Sequence, residues 1–298
     1  MSRWIKFSLF LFVVYGIFVG IRQEGRKNDR FAIHKIASKI PNDPAWEVPK
    51  ESQSLEAIFK QPFFYLGHGL QFYAFESQDK QYVLKFLRHQ RLRPRQVFES
   101  LPDVWPFQSL KRQKVEECQK RIGYIFRSLI VAYVEVPEET GLLSVHLNKT
   151  NQCYPTVQIF DKKKQPYQVL LDSTEFVLQK KATLVKPTLI QLMQKGEVEA
   201  AKIRIGQIFR LLQECAMKGV CDTDGQLIRK NNLGFLEDRA IYIDTGKLTR
   251  KESIKTKARF AQDLQRLDPL YSWLLEHYPQ LAKHFEEEKA KTLDIFKS

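Results

Sequence analysis

Three apolar-aromatic runs stand close together in the first third of the chain: Phe63-Phe64-Tyr65-Leu66, Phe72-Tyr73-Ala74-Phe75 and Tyr82-Val83-Leu84-Lys85-Phe86-Leu87. Such residues suit a pleated, half-buried surface. The breaks between them, Gly67-His68-Gly69 and Ser77-Gln78-Asp79-Lys80, suit turns, so the runs predict three consecutive strands. The period then changes. Val115, Cys118, Ile122, Ile125, Phe126 and Leu129 recur at spacings of three and four, which predicts a helix over about 110–129. Thr156–Phe160, Tyr167–Leu171 and Glu175–Leu178 read as strands again. One helix starts near Pro187, and a longer one runs from about Glu197 to Met217 with Gly219 as its stop. Its apolar face is Ala201, Ile205, Ile208, Leu212 and Cys215. Residues 239–244 read as a short strand that ends in Asp244-Thr245-Gly246. A strand-rich half followed by a helix-rich half predicts an α+β chain with two lobes, divided near 63–181 and 182–298.

The amino-terminal pattern is different. Phe7 to Ile21 is uncharged and mostly apolar, preceded by Arg3 and Lys6 and followed by Arg22, Arg26, Lys27 and Arg30. Phe18-Val19-Gly20 is a poor cleavage site, so residues 1–30 read as a retained membrane anchor with a basic flank rather than a cleaved signal. The larger number of cations after the run predicts a single pass with a cytoplasmic carboxy-terminal domain. Pro41, Pro44, Pro49 and Pro62 interrupt residues 31–62, which read as a linker.

With 43% hydrophobic and 28% charged residues, the 298-residue chain can build an ordinary core. Its net charge of +14 favours acidic partners such as nucleotides or anionic surfaces. No nucleic-acid reading motif accompanies that charge, which is spread along the chain. The four cysteines form no CxxC pair and have no histidines at ligand spacing, so neither a zinc site nor a disulfide framework is expected.

The informative residue is Lys85, in the middle of an apolar run. A buried ammonium costs several kcal/mol unless an anion compensates it. A glycine turn sixteen residues upstream offers backbone N–H groups to the same kind of anion. Downstream, the polar stretch Gly219–Gly234 holds Asp222, Asp224, Asn231 and Asn232. Asp244 ends a buried strand, and Gly246 permits the sharp turn that leaves its carboxylate open to a ligand. Asp and Asn oxygens suit Mg²⁺, which takes hard oxygen donors together with phosphate oxygens. Each feature singly is as well read as a turn, a cap or a snorkelling side chain. Their order is what points to a phosphate site.

That order, over residues 63–250, resembles the protein-kinase-like fold: a glycine loop, a strand lysine, a helix, more strands, a helix feeding a polar Asp/Asn loop, and a strand ending in Asp-x-Gly. The resemblance implies that Gly67 and Gly69 cover the phosphates of ATP and that Lys85 holds its α- and β-phosphates. It implies Asp244 and Asn231 or Asn232 as Mg²⁺ ligands, and Asp224 or Asp222 as the group that orients an acceptor hydroxyl. Phe176–Lys180 falls where the family binds adenine. The chain departs from the pattern where Phe72 replaces the third glycine, Cys221-Asp222-Thr223-Asp224 replaces His-Arg-Asp, and Thr245 replaces the metal-motif phenylalanine. Glu116 and Glu117 lie in the helix that should pair with Lys85 but point about 130° from its apolar stripe, leaving Glu99 as an outside candidate. The resemblance therefore implies either a membrane-anchored phosphotransferase acting on a lipid, sugar or protein hydroxyl, or an inactive pseudokinase that serves as a membrane scaffold.

Overall fold

The structure is a computed structural model that describes residues 29, 31–49, 54–92, 104, 107–223, 227–228 and 232–296. The apolar run 7–21 lies outside the described residues, and among those described no helix is long and apolar enough to cross a membrane. The class is α+β, as the change of period predicts: a seven-stranded curled sheet is followed by a mainly helical part.

After a single helical turn, α1 (Glu56–Phe59), come β1 (Phe63–His68), β2 (Phe72–Ser77) and β3 (Tyr82–Leu87). Helix α2 (Phe107–Val134), the short α3 (Pro137–Thr140) and β4 (Leu142–His146) follow, then β5 (Thr156–Phe160), β6 (Pro166–Leu170) and β7 (Phe176–Lys180). The sheet order is β4-β7-β3-β2-β1-β5-β6. The β5–β6 hairpin, which lies in sequence between the neighbours β4 and β7, thus crosses over and adds to the far edge, where β5 runs parallel to β1.

The second part begins with β8 (Thr183–Leu184), α4 (Val185–Gln194) and α5 (Val198–Met217). Three-residue strands β9 (Val220–Asp222), β10 (Leu233–Phe235), β11 (Ala240–Tyr242) and β12 (Leu248–Arg250) follow, and α6 (Lys257–Leu264), α7 (Asp268–His277) and α8 (Pro279–Ile295) complete it. The small sheets pair β11-β10-β8 and β12-β9. The helix predicted over 110–129 is longer at both ends, and its early stripe is not core: Val115 is exposed, whereas Ile125, Phe126 and Leu129 are buried.

Strand alternation divides the core. Phe63, Phe75, Leu84, Phe86 and Leu178 form an aromatic-rich cluster on one face of the large sheet. Leu87 and Val177, on the other face, join the α2 stripe and the apolar faces of α5–α8 in a second cluster. The segment read as a linker forms no long element, but it is anchored. Phe31, Ile36, Leu55 and Phe59 are buried in the first cluster, and Phe31 meets Tyr73 edge-on at 5.1 Å.

Candidate functional site

β3 lies between β2 and β7, so Lys85 belongs to an interior strand and has no edge to snorkel from. Residues 83, 85 and 87 alternate onto the face that carries the second core cluster, and Lys85 is only 9% exposed. Its Nζ donates to Gln179 Oε1 at 2.5 Å and to the Ile243 carbonyl at 2.6 Å. Burial pushes the ammonium down from its ordinary value to about 8, and the neighbouring Asp244 charge opposes that fall only in part. Lys85 and the Asp244 segment, far apart in sequence, therefore meet.

The glycine turn reaches the same place. Gln71 Nε2 donates to the Gly246 carbonyl at 3.4 Å, and a Cβ on Gly246 would stand 1.8 Å from Gln71 Oε1. A side chain at position 246 would have to displace the Gln71 amide that bridges the β1–β2 turn to the Asp-x-Gly segment. Buried Arg88 fixes the turn from below: its N–H donates to Gln71 O at 2.8 Å and its guanidinium to Gly69 O, while it lies over the Tyr73 ring at 4.9 Å. The turn is more closed than the sequence suggests. Gly67 and His68 are paired in β1, and Gly69 N–H donates to Phe72 O at 2.9 Å, so that donor is committed within the hairpin. His68 bonds Tyr65 through Nδ1 at 3.0 Å. Among the described residues, apart from the chain neighbours, no atom stands within 4 Å of a Cβ built on Gly67 or Gly69.

From the other side, α2 holds the Asp-x-Gly segment through Ser128 Oγ, which donates to Thr245 O at 2.7 Å. Asp244 Oδ1 accepts from Gly246 N–H at 3.2 Å. Asn232 is buried, and its main chain bonds Ile243 N–H at 2.7 Å, which ties β10 to the residue beside Asp244.

Several expected residues stand otherwise. Asp222 is not in an open loop. It ends β9, is 3% exposed, and its carboxylate pairs with Arg266 at 3.2 Å, because a carboxylate on a buried strand requires a cation. Asp263 shares the same guanidinium at 3.0 Å. Asp224, Asn231 and Glu99 lie outside the described residues. Glu116 and Glu117 are exposed on α2, and Glu117 pairs with Lys114 at 2.8 Å. The residue that holds Lys85 is instead Gln179, whose amide also donates to Thr140 O at 2.6 Å and Tyr242 O at 2.9 Å. Its signal in sequence is a lone amide inside the apolar run 176–180.

The donor set fits a hydrated cation carried by a polyphosphate and does not fit a protein-built metal cage. Among the described residues no three His, Cys, Asp or Glu side chains converge. Mg²⁺ needs only one or two carboxylates when phosphates and waters complete its shell. Among the described residues nothing donates to Gln71 Oε1, which is buried beside Gly246. Two clefts, of about 770 and 1150 Å³, are lined by neither Lys85 nor Asp244.

No protein-family model matches the chain, and no curated protein matches it in sequence. Among solved structures it is similar to monomeric WbdD, with a TM-score of 0.37 and 16% identity over 74% of this chain and 47% of that one. A second structure, of the bifunctional kinase-methyltransferase WbdD, gives 0.36 and 16% over 76% and 45%. The co-crystal of WbdD with the kinase inhibitor LY294002 gives 0.35 and 17% over 75% and 44%. The chain spans less than half the length of these proteins, and likeness of this degree does not by itself establish a shared fold.

Proposed function

We propose that the chain is a protein-kinase-like phosphotransferase that uses Mg·ATP and is held at a membrane by its apolar amino-terminal run. The observation that carries this reading is the meeting of Lys85 with the Asp244 segment, through the 2.6 Å bond from Lys85 Nζ to Ile243 O and the field of Asp244. A lysine and a carboxylate at one place are what a polyphosphate with its metal asks for. In-line transfer needs positioned phosphates and neutralised charge rather than covalent chemistry from the protein.

In this reading Lys85 binds the α- and β-phosphates, giving up a neutral acceptor for a charged one. Asp244, with Asn231 or Asn232, holds Mg²⁺, which supplies charge neutralisation at the transferred group. The backbone at Gly67 and Gly69 covers the phosphates from a side where, among the described residues, no atom beyond the chain neighbours comes within 4 Å. Asp224 orients the acceptor hydroxyl, and the buried Asp222–Arg266–Asp263 cluster fixes the strand leading into it. Residues 7–21 insert in the bilayer, with the folded part on the ATP side.

A second reading is a pseudokinase scaffold of the same fold. It is favoured by the neutral acceptors of Lys85, the Gln179 amide and the Ile243 carbonyl, with no α2 carboxylate among the described residues bonded to it. Incubation of the full chain in vesicles with γ-labelled ATP, Mg²⁺ and lipid, sugar or protein acceptors separates the two. The enzyme reading expects transfer or ATP hydrolysis that disappears in Lys85→Ala and in Asp244→Ala. Turnover absent in the wild type, with Mg·ATP binding retained, favours the scaffold. Activity unchanged in both variants refutes the site.

A further inference from the structure

Helix α2 reaches the site through two hydroxyls. Tyr124 and Ser128 stand four positions apart (128 − 124), so one helical turn sets them on the same flank. Phe126, between them in sequence, lies about 200° around the helix from each. It is fully buried and meets Trp46, from the segment before β1, edge-on at 5.4 Å. Ile125 and Leu129 are buried as well, so the core fixes the rotation of this turn. The acids Glu116 and Glu117 are exposed, about two turns further towards the start of the helix.

Each hydroxyl holds a different segment. Buried Ser128 donates through Oγ to the Thr245 carbonyl at 2.7 Å, and Thr245 directly follows Asp244. Tyr124, half-exposed, bonds Thr223 through its hydroxyl, and Thr223 opens the polar stretch that runs to Asn231 and Asn232. Counting protons gives that bond its direction. Thr223 Oγ1 has one hydrogen and donates it to Lys247 O at 3.0 Å, where Thr223 N–H also donates at 3.0 Å. The oxygen of Thr223 is left to accept, so the Tyr124 O–H is the donor.

The two segments also run side by side. The β9–β12 ladder sets Asp222 opposite Leu248, and the Thr223 bonds carry the pairing on to Lys247, the residue after Gly246. One turn of α2 therefore grips both chains that lead to the expected magnesium ligands, Thr223 by Tyr124 and Thr245 by Ser128.

We propose that Tyr124 and Ser128 are positioning residues for the magnesium ion, setting the Asp244 segment and the asparagine loop in register with each other. The proposal rests on the Mg·ATP reading of the proposed function. Both residues act through their threonine partners rather than on the nucleotide. Mg²⁺ demands near-ideal octahedral geometry, so a small slip of one segment against the other costs the metal. The phosphates held by Lys85 depend on neither hydroxyl. The two side chains thus govern the part of ATP affinity that magnesium adds.

The test is titration calorimetry of the detergent-solubilised full chain with ATP in Mg²⁺ and with ATP in EDTA. Tyr124→Phe keeps the ring and deletes only the donor, at a half-exposed position where folding is not at stake. Ser128→Ala deletes the second hydroxyl with little change of volume. Each variant weakens Mg·ATP binding about ten-fold or more, the usual effect of removing a group that orients a metal ligand, and leaves metal-free ATP binding unchanged. Unchanged Mg·ATP affinity in both variants overturns the inference and leaves the proposed function standing; in one variant alone, it removes that residue from the role. A loss of equal size with and without Mg²⁺ overturns it in favour of a general contribution to the fold. A wild-type chain that binds ATP no more tightly with Mg²⁺ than without it overturns the magnesium reading of the site, and the inference with it.

Discussion

Lys85 is a buried ammonium, and its cost has a sign. Its folded value of about 8 lies below its ordinary 10.5, so the folded state binds fewer protons than the unfolded one between these pH values. Stability therefore carries the full cost of the buried ammonium below about pH 8 and recovers as pH rises towards 10.5. A fall of that size corresponds to about 3 kcal/mol. Denaturant titrations of wild type and Lys85→Met at the two ends of this window should show wild type gaining about 3 kcal/mol relative to the variant. A constant difference contradicts the buried, partly compensated lysine. Gln179 belongs to the same balance. Gln179→Leu leaves the carbonyls of Thr140 and Tyr242 without that donor and Lys85 without its acceptor, and should cost about 2–4 kcal/mol. A loss below about 1 kcal/mol would mean the amide is replaceable by water.

At the scale of elements, glycines report where backbones crowd and where they stand open. A Cβ on Gly234 of β10 would stand 2.6 Å from Thr183 O and 2.9 Å from Ala182 Cβ, so the chain after β7 is pressed onto β10. Gly234→Ala should destabilise by about 2 kcal/mol or more, read from the denaturation midpoint. Gly67→Ala meets no atom of the described residues beyond its chain neighbours within 4 Å and should leave stability unchanged within about 1 kcal/mol. Its Mg·ATP affinity should fall all the same, because the side chain enters space that phosphates need; unchanged affinity would remove Gly67 from the site. These elements also mark what the chain discloses by pattern. Strands rich in Phe, Tyr and Val and the two long amphipathic helices are legible because burial on one face imposes a period. Strands β9, β10 and β12 escape, since three residues are too few to show alternation and the β9–β12 and β8–β10 pairings join distant segments. For the same reason Asp222 reads as loop, whereas Arg266, the cation that explains it, lies 44 positions away. Lys85 and Asp244 could be picked out because each is a charge where an apolar residue belongs. Gln71, Arg88 and Gln179 could not be assigned roles, since their partners are main-chain atoms that no sequence pattern specifies.

At the scale of the molecule, the amino-terminal segment and the crossover hairpin close one core. Phe31 sits against Tyr73, Phe75 and Tyr167, side chains from two strands of the large sheet, β2 and β6. Phe31→Ala should cost about 3–5 kcal/mol, as for other buried aromatic truncations, and should loosen the β5–β6 hairpin in hydrogen exchange. A loss under about 1 kcal/mol would mean that residues 31–59 are a tether rather than part of the core. The central claim concerns the same scale: a lysine from the sheet and a carboxylate from the helical part act on one ligand. It is tested most directly by a double-mutant cycle on Mg·ATP binding, with titration calorimetry of wild type, Lys85→Met, Asp244→Asn and the double variant. The account predicts that each single variant loses most of the affinity and that the double variant loses less than the sum of the two. Binding that is untouched by either substitution, or losses that simply add, would contradict it.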